Sequence, residues 1–339
     1  MKAMVLAAGE GRRLRPLTEF CPKPMVPVAN TPLLERTLAL LAGQGFRDIA
    51  VNLYHRADVV RDALGDGSRL GVNLSYSDEE ILMGTAGGVK RLEEHFSETF
   101  LVLYGDNLYR ADFTALVERH RASGAAATIA TFTAPDPTAC GLVETDARGR
   151  VRRFREKPPP EEVFTDQANA GVYVLEPEVF RFIPEGVPFD FGRDVFPAML
   201  ADGGCILQAF PLGGYLRDTG TLASYRQANW DVLEADGSPF LLGEGATVAR
   251  GALLQGRCVL GRGVTVGAKA RLRDCILWDG CAVAAGATLT GATLGSGCVV
   301  GVGATIEPGA VLGDGVRVAD GAVVPEDARI SGHETVTHP

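Results

Sequence analysis

The chain has 339 residues, of which 46% are hydrophobic and 22% are charged, and its formal net charge is -9. This size allows two domains, and the acidic balance excludes a protein that binds nucleic acid through a broad basic surface. Seven cysteines without a CxxC pair are typical of a reducing compartment and predict neither a disulfide framework nor a zinc site. Since no apolar run is long enough to cross a membrane, we expect a cytoplasmic protein with no membrane partner.

Residues 1–235 alternate short β-rich apolar runs with amphipathic helical stretches, a pattern typical of an α/β domain with a Rossmann-like, mostly parallel sheet. A helix is predicted to start with Thr31 as its N-cap and Pro32 in its first turn, and to end near Gly45. A second helix is predicted over Ala111–Gly124. The predicted strands are Ala3–Ala8, Asp48–Leu53, Asn73–Ser77, Phe100–Asp106 and Ala126–Phe132.

Residues 240–330 have a different texture, with glycine and small residues in a six-residue rhythm that an aliphatic residue closes. The rhythm predicts a left-handed parallel β-helix, in which three hexapeptides form one triangular coil of about eighteen residues. A single four-residue step is predicted at Gly291–Leu294. The aliphatic residues expected to point inward are Val248, Leu254, Leu260, Val266, Leu272, Leu294, Val300, Ile306, Leu312, Val318 and Val324.

A glycine-rich turn with several basic residues follows the first predicted strand, in the string LAAGEGRRLRPLT. The string lacks the Walker spacing, and Leu14 stands where a dinucleotide fingerprint requires its third glycine. A strand that opens into glycines brings backbone amides close to a polyphosphate, and Arg12, Arg13, Arg15 and Lys23 would supply positive charge beside them. We therefore interpret the cluster as an anion site and not as a nucleic-acid surface.

The extended string, with PKPMVPV after it, resembles the signature of the sugar-1-phosphate nucleotidyltransferases, also called NDP-sugar pyrophosphorylases. Arg13 and Lys23 have the separation of the arginine and lysine in the family pattern. Matching motifs follow in family order, namely GTAGG, YGDN, FREKP, NAGVYV and YLRDTGT. The sequence departs from the family pattern at Arg12, Cys140 and Leu216, and the last two leave the shape of the sugar pocket open.

The resemblance implies a role for each matching residue. These roles agree with the physical needs of nucleotidyl transfer, which requires positioned charge and a divalent cation. The implied catalytic residues are Arg13, Lys23 and Asp106. The implied nucleotide-binding residues are Leu6, Ala7, Ala8, Gly9, Gly11, Arg12, Gly84, Thr85, Ala86 and Gly87. The implied sugar-phosphate-binding residues are Gly141, Glu156, Lys157, Asn169 and Gly171. The implied ligands of Mg²⁺ are Asp106 and Asp218.

The resemblance further implies an enzyme that joins a nucleoside triphosphate and a sugar 1-phosphate into an NDP-sugar and releases pyrophosphate. The GTAGG string is similar to that of mannose-1-phosphate guanylyltransferases, so GDP-mannose is the expected product, with glucose-1-phosphate thymidylyl, uridylyl or adenylyl transfer as alternatives. A bifunctional enzyme with acyltransferase activity in the β-helix is a further alternative, although no histidine lies between residues 240 and 332 to serve as a base. We expect the β-helix to assemble a homo-oligomer.

Overall fold

The computed structural model describes residues 1–337, which divide into two compact units. The sheet unit consists of Met1–Gly9 and Leu34–Arg217. The β-helix unit consists of Glu10–Leu33 and Asp218–Pro339, of which the structure describes the residues up to 337. The basic segment Glu10–Leu33 therefore belongs to the same unit as the C-terminal repeats. The domain ranges 1–235 and 240–330 remain predictions from the change in sequence texture.

The part of the chain before the repeats contains short strands and helices in alternation. Its strands are β1 (Ala3–Leu6), β2 (Pro27–Val28), β3 (Thr31–Pro32), β4 (Asp48–Leu53), β5 (Asn73–Asp78), β6 (Phe100–Tyr104), β7 (Asn107–Arg110), β8 (Ala127–Thr133), β9 (Gly141–Thr145), β10 (Val151–Glu156), β11 (Gln167–Leu175), β12 (Leu207–Pro211) and β13 (Tyr215–Asp218). Its helices are α1 (Leu33–Gly43), α2 (Ala57–Leu64), α3 (Gly84–Lys90), α4 (Phe113–Ser123), α5 (Phe196–Asp202) and α6 (Leu222–Ala235).

Within residues 1–337 the largest sheet has nine strands and lies in the sheet unit. Its main order is β10, β9, β11, β6, β1, β4 and β5, and β8 joins β11 to β12. The strands around β1 run parallel, whereas β11 runs antiparallel to β6, β8 and β9, so the sheet is mixed. The carboxyl ends of β1, β4 and β6 meet at one edge, where open α/β sheets bind their ligands. The Rossmann-like α/β prediction is confirmed.

The first helix begins one residue later than predicted, and Thr31 is not its N-cap. Thr31 and Pro32 pair with Val28 and Pro27 in a small antiparallel ribbon, and α1 begins only at Leu33. The amide of Leu33 donates to the carbonyl of Val26, which closes the ribbon at the helix start. Strand pairing of this segment takes the place of the capping that its residue types predict.

The C-terminal repeats form three parallel sheets, and each coil of the chain adds one strand to each sheet, as in a left-handed parallel β-helix. The predicted inward residues line one buried core together with small residues and four cysteines. The strands of the three sheets are Phe240–Leu242, Cys258–Leu260, Ile276–Leu277, Thr293–Leu294, Val311–Leu312 and Arg329–Ile330; Thr247–Val248, Thr265–Val266, Ala282–Val283, Val299–Val300, Arg317–Val318 and Thr335–Val336; and Leu253–Gln255, Arg271–Arg273, Thr288–Thr290, Thr305–Ile306 and Val323–Val324.

The six-residue repeat is interrupted at other positions than the sequence predicts. The structure has no single four-residue step within the described repeats; it has a five-residue step from Leu272 to Leu277 and another from Leu289 to Leu294. Leu277 therefore points into the core, and the neighbouring Trp278 lies outside it. The indole of Trp278 donates to the hydroxyl of Tyr225 on α6 at 2.9 Å. The register of strand pairing, and not the apparent six-residue repeat of the sequence, determines where a coil is one residue shorter.

Helix α6 packs on one outer face of the β-helix, within the β-helix unit. Arg226 donates to the carbonyls of Gly291 and Asp274, and Asn229 accepts a hydrogen bond from the amide of Ala29. Trp278 on this outer face, whose indole bonds to Tyr225 of α6, is buried. No helix among residues 1–337 has both the length and the apolar character to cross a membrane.

Candidate active site

The first glycine-rich loop of the sheet unit begins where β1 ends. Leu6 is the last residue of β1, and Ala7, Ala8 and Gly9 follow it at the ligand-binding edge of the sheet. The amide of Ala7 donates to Oδ1 of Asn52 at 2.8 Å. A β-carbon at Gly9 would meet no atom within 4 Å, so the approach to this backbone is open on that side.

The second glycine-rich string, GTAGG, folds as the first five residues of α3 and is tied to the segment before α5. Gly84 has a φ of +71°, and a β-carbon there would lie 2.6 Å from the carbonyl oxygen of Phe189. That oxygen accepts hydrogen bonds from the amides of Ala86 and Gly87. These two predicted nucleotide-binding residues therefore use their amides within the protein. The amide and hydroxyl of Thr85 both donate to Oδ1 of Asp190, at 3.3 and 3.1 Å.

The predicted sugar-binding carboxylate, Glu156, lies in a narrow space at the end of β10. A β-carbon at Gly141 would approach its Oε2 to 2.5 Å, and one at Gly192 would approach the same atom to 2.6 Å. Burial raises the pKa of the Glu156 carboxyl above its ordinary value, the nearby Lys157 opposes this shift and Asp190 reinforces it. Two glycines thus leave room for a partly desolvated carboxyl group.

Lys157 follows Glu156 with a φ of +43°. Its amide donates to the carbonyl of Cys140 at 3.0 Å, and its side chain is 65% exposed. Nζ lies 4.0 Å from Oε1 of Glu156, beyond a direct hydrogen bond. The exposed ammonium group is therefore available to a phosphate, which is the role that the sequence predicts.

Asn169 and Gly171 form a bulge in β11, because the pairing with β8 shifts between Asn169 and Tyr173. Oδ1 of Asn169 accepts from the amide of Gly171, and its Nδ2 donates to the hydroxyl of Tyr173. The Tyr173 hydroxyl in turn donates to that of Tyr104 at 3.1 Å. Gly171 has a φ of +67°, and a β-carbon there would strike the Tyr104 ring at 2.7 Å. Bulges beside sites redirect side chains in this way.

Asp106 follows β6 in the sheet unit, after a glycine that the packing requires. The amide of Gly105 donates to the carbonyl of Leu6 at 2.8 Å, and a β-carbon at Gly105 would lie 2.9 Å from that oxygen. The half-buried Asp106 is thereby placed at the edge where the first glycine-rich loop begins. A carboxylate in this position offers hard oxygen atoms to a divalent cation.

The basic segment of the β-helix unit is shaped around Gly11, with a φ of +66°. A β-carbon at Gly11 would lie 2.8 Å from the β-carbon of Lys23, so only glycine fits over this lysine. Lys23 is 5% exposed, whereas Arg13 and Arg12 are exposed. Arg12 forms an ion pair with Glu10. Lys23 is therefore the fixed cation of the segment, since burial restricts its long side chain.

Asp218 lies beside both predicted cations in the β-helix unit. Its Oδ1 is 4.0 Å from Nζ of Lys23 and accepts a hydrogen bond from the amide of Gly220 at 2.6 Å. A β-carbon at Gly220 would lie 2.6 Å from a terminal nitrogen of Arg13 and 2.8 Å from Oδ1 of Asp218. The structure thus brings Asp218 together with Arg13 and Lys23, from which it is distant in sequence.

The chemistry of each carboxylate that the sequence assigns to Mg²⁺ suits that ion. Asp218 is 61% exposed and Asp106 half-buried, and both carry the oxygen ligands that Mg²⁺ prefers. Among residues 1–337 no group of three or more His, Cys, Asp or Glu side chains is arranged to hold a metal. Mg²⁺ in phosphoryl-transfer sites needs only one or two carboxylates, because phosphates and water complete its shell. Asp106 belongs to the sheet unit and Asp218 to the β-helix unit.

Several residues that contact the predicted site were not predicted from the sequence. Asp190 holds Thr85, and Tyr104 and Tyr173 connect to Asn169. Asn52 accepts a hydrogen bond from Ala7 of the first glycine-rich loop, and Glu79 accepts one from Met83 at the start of α3. The aspartates of the string FDFGRD were the available signal for Asp190, whereas Asn52 and Glu79 carry no motif of their own.

The pH dependence of kcat/KM tests the role that the sequence predicts for Glu156. We expect kcat/KM for the sugar 1-phosphate to fall as the pH is lowered through the raised pKa of Glu156, because the protonated carboxyl loses an acceptor for sugar hydroxyls. Glu156→Gln should lower kcat/KM by about tenfold at neutral pH and flatten this acid limb. The substrate phosphate also titrates, so its limb will remain in the variant. Identical pH profiles for the wild type and the variant would contradict the assignment.

Comparison with known proteins shows which family the chain resembles over its two parts. The family model described as Nucleotidyl transferase matches residues 2–235, and a second, described as GMPPB C-terminal domain, matches residues 237–339. A mannose-1-phosphate guanylyltransferase of Mycobacterium tuberculosis is 39% identical over 280 residues, which cover 80% of this chain and 77% of the relative.

A UTP–glucose-1-phosphate uridylyltransferase of Synechocystis sp. is 41% identical over 250 residues, which cover 70% of this chain and 64% of the relative. A crystal structure from Bacillus anthracis, described as a glucose-1-phosphate thymidylyltransferase in complex with a sucrose, superposes with a TM-score of 0.62 at 25% identity. That likeness covers 68% of this chain and 94% of the solved one. From the family match over most of its length and from the relative in Mycobacterium tuberculosis, the chain belongs to the nucleotidyl transferase family.

Proposed function

We propose that the protein is a sugar-1-phosphate nucleotidyltransferase. The observation that carries the proposal is the cluster of Arg13, Lys23 and Asp218 in the β-helix unit, because this reaction requires positive charge where a polyphosphate is cleaved. The relatives named as guanylyl and uridylyl transferases support the reaction type.

In the proposed reaction a phosphate oxygen of the sugar 1-phosphate attacks the α-phosphorus of the nucleoside triphosphate. A new P–O bond forms, the bond from the α-phosphorus to the bridging oxygen breaks, and that oxygen leaves with pyrophosphate. Arg13 and Lys23 neutralise the departing pyrophosphate, Lys157 holds the sugar phosphate and Glu156 accepts hydrogen bonds from sugar hydroxyls. Asp106 and Asp218 would hold Mg²⁺, which when bound would offset the phosphate charge.

The proposed substrates are GTP and mannose 1-phosphate, and the proposed product is GDP-mannose. The C-terminal match to the GMPPB C-terminal domain and the relative named as a mannose-1-phosphate guanylyltransferase support this choice. UTP with glucose 1-phosphate is the second candidate, because the relative from Synechocystis sp. carries that name at 41% identity.

A substrate panel tests both candidates. Pyrophosphate release would be measured with Mg²⁺ for each of GTP, ATP, CTP, UTP and dTTP, paired in turn with the 1-phosphates of mannose, glucose and N-acetylglucosamine. We expect the highest kcat/KM with GTP and mannose 1-phosphate, and no release without a sugar 1-phosphate. A maximum with UTP and glucose 1-phosphate would favour the second candidate, and no release with any pair would exclude the enzyme. Acetyl-CoA consumption, measured beside it, tests the acyltransferase alternative.

We also propose that the β-helix joins copies of the chain into a homo-oligomer. Exposed apolar residues at Leu253 and Val323 lie on the outside of one of its sheets, 47% and 37% exposed. Apolar side chains on a flat face favour self-association. Light scattering coupled to size-exclusion chromatography should give a mass above that of one chain. The double variant Leu253→Lys with Val323→Lys should have a lower mass than the wild type.

A further inference from the structure

The sheet unit contains a buried polar bridge that the proposed reaction does not use. Asn52 near the end of β4 is 2% exposed, and Glu79 directly after β5 is 6% exposed. Nδ2 of Asn52 donates to Oε1 of Glu79 at 2.7 Å. We refer to this pair as the Asn52–Glu79 bridge.

One end of the bridge holds the first glycine-rich loop, and the other end holds the start of α3. Oδ1 of Asn52 accepts from the amide of Ala7 at 2.8 Å, and Oε2 of Glu79 accepts from the amide of Met83 at 2.9 Å. Ala7 lies in the first loop, and Met83 directly precedes Gly84, where α3 and its GTAGG string begin. A continuous chain of hydrogen bonds therefore connects the two glycine-rich segments that the sequence assigns to the nucleotide.

The bridge buries a carboxylate, which lowers stability, so packing alone does not explain its presence. Glu79 forms no ion pair among residues 1–337, so its buried carboxylate is held by neutral N–H donors. Burying a carboxylate without a cation is unfavourable, and an apolar pair of similar volume would fill the same space. Gly88 of α3 faces the bridge, because a β-carbon there would lie 2.7 Å from Oε1 of Glu79 and 2.8 Å from Nδ2 of Asn52.

We propose that Asn52 and Glu79 are positioning residues for the nucleoside triphosphate. The bridge sets the separation of the first glycine-rich loop from the start of α3 and thereby the affinity for the nucleotide, while the sugar 1-phosphate, which the sequence assigns to Glu156, Lys157 and Asn169, is bound independently of it. This inference rests on the proposed nucleotidyl transfer for its kinetic readout, and on the hydrogen bonds of the bridge for its structural one.

The test exchanges the two polar groups. Asn52→Asp places a second carboxylate against Glu79. Glu79→Gln replaces one acceptor oxygen by an NH₂ group, so that either the Asn52 side chain or the Met83 amide faces another donor. In the double variant, Asn52→Asp with Glu79→Gln, the new amide donates to the new carboxylate, and the amides of Ala7 and Met83 keep their acceptors. Asn73→Asp is the matched control, because Asn73 donates to Asp48 across β4 and β5 in the same way but is exposed.

We expect each single variant to raise KM for the nucleoside triphosphate by about tenfold, with KM for the sugar 1-phosphate unchanged. In Asn52→Asp the effect should decrease as the pH falls, because the two carboxyl groups can then share a proton. The double variant should return KM to within about twofold of the wild-type value. The control should match the wild type throughout.

Hydrogen exchange at the amides of Ala7 and Met83 provides a second readout that needs no activity. It should be faster in the single variants and restored in the double variant. An inactive wild type would contradict the proposed function, while the exchange rates would still decide the role of the bridge. Equal changes in both KM values, a double variant without rescue, or exchange rates unaffected by the single variants would overturn the inference.

Discussion

Replacing Lys23 by methionine is expected to lower kcat by about 10²–10³-fold, because it removes a fixed charge from the leaving pyrophosphate. Lys23 is 5% exposed, and its stem packs against Gly11. Methionine keeps this stem and removes only the ammonium group. Asp218 would lose a cation 4.0 Å away, but it is 61% exposed and remains hydrated. The measurement is pyrophosphate release at saturating substrates.

Arg15→Met is the control for this experiment. Arg15 is exposed and belongs to the same basic segment, so its replacement removes an equal charge from the segment's surface. We expect kcat of this variant to stay near the wild-type value, because the family pattern assigns Arg13 and Lys23, and not Arg15, to the leaving pyrophosphate. Equal losses in both variants would assign the effect to general charge and contradict a specific role for Lys23. Thermal melting of both proteins excludes unfolding as the cause.

Asp218→Asn is expected to lower the rate by about a hundredfold or more and to raise the concentration of Mg²⁺ needed for half-maximal activity. The amide oxygen of asparagine can still accept from the amide of Gly220, as Oδ1 of Asp218 does at 2.6 Å, so the local turn should persist. The loss should therefore come from the missing charge. The measurement is the initial rate over a titration of Mg²⁺, with excess metal recovering part of the activity.

A second role of Asp218 gives a different result in the same titration. Because its carboxylate also lies near Lys23 and Arg13, the aspartate could act by holding those cations. In that case the rate would fall with no change in the Mg²⁺ dependence, which would contradict the metal assignment. An unchanged rate with unchanged Mg²⁺ dependence would exclude both roles.

Much of the site was predictable because its residues carry short-range spacing. Arg13 and Lys23 are separated by a fixed stretch of chain, and Glu156 and Lys157 are adjacent. The structure confirms that Arg13 and Lys23 lie in one unit with Asp218, but the proximity of Asp218 to them depends on folding. Asn52 and Glu79 could not be predicted, because their importance lies in contacts with Ala7 and Met83 on other elements.

By itself the sequence determined the alternation of strands and helices, the change to a six-residue repeat near residue 240 and the concentration of positive charge after the first strand. These depend on local periodicity and on residue type, which the chain carries directly. Only the tertiary structure decided that Thr31 and Pro32 form a ribbon instead of a helix start, and that the repeat shortens at Leu277 and again at Leu294. The physical reason is that the pairing partner and the register of a strand, and not its own residue types, determine which side chains reach the core.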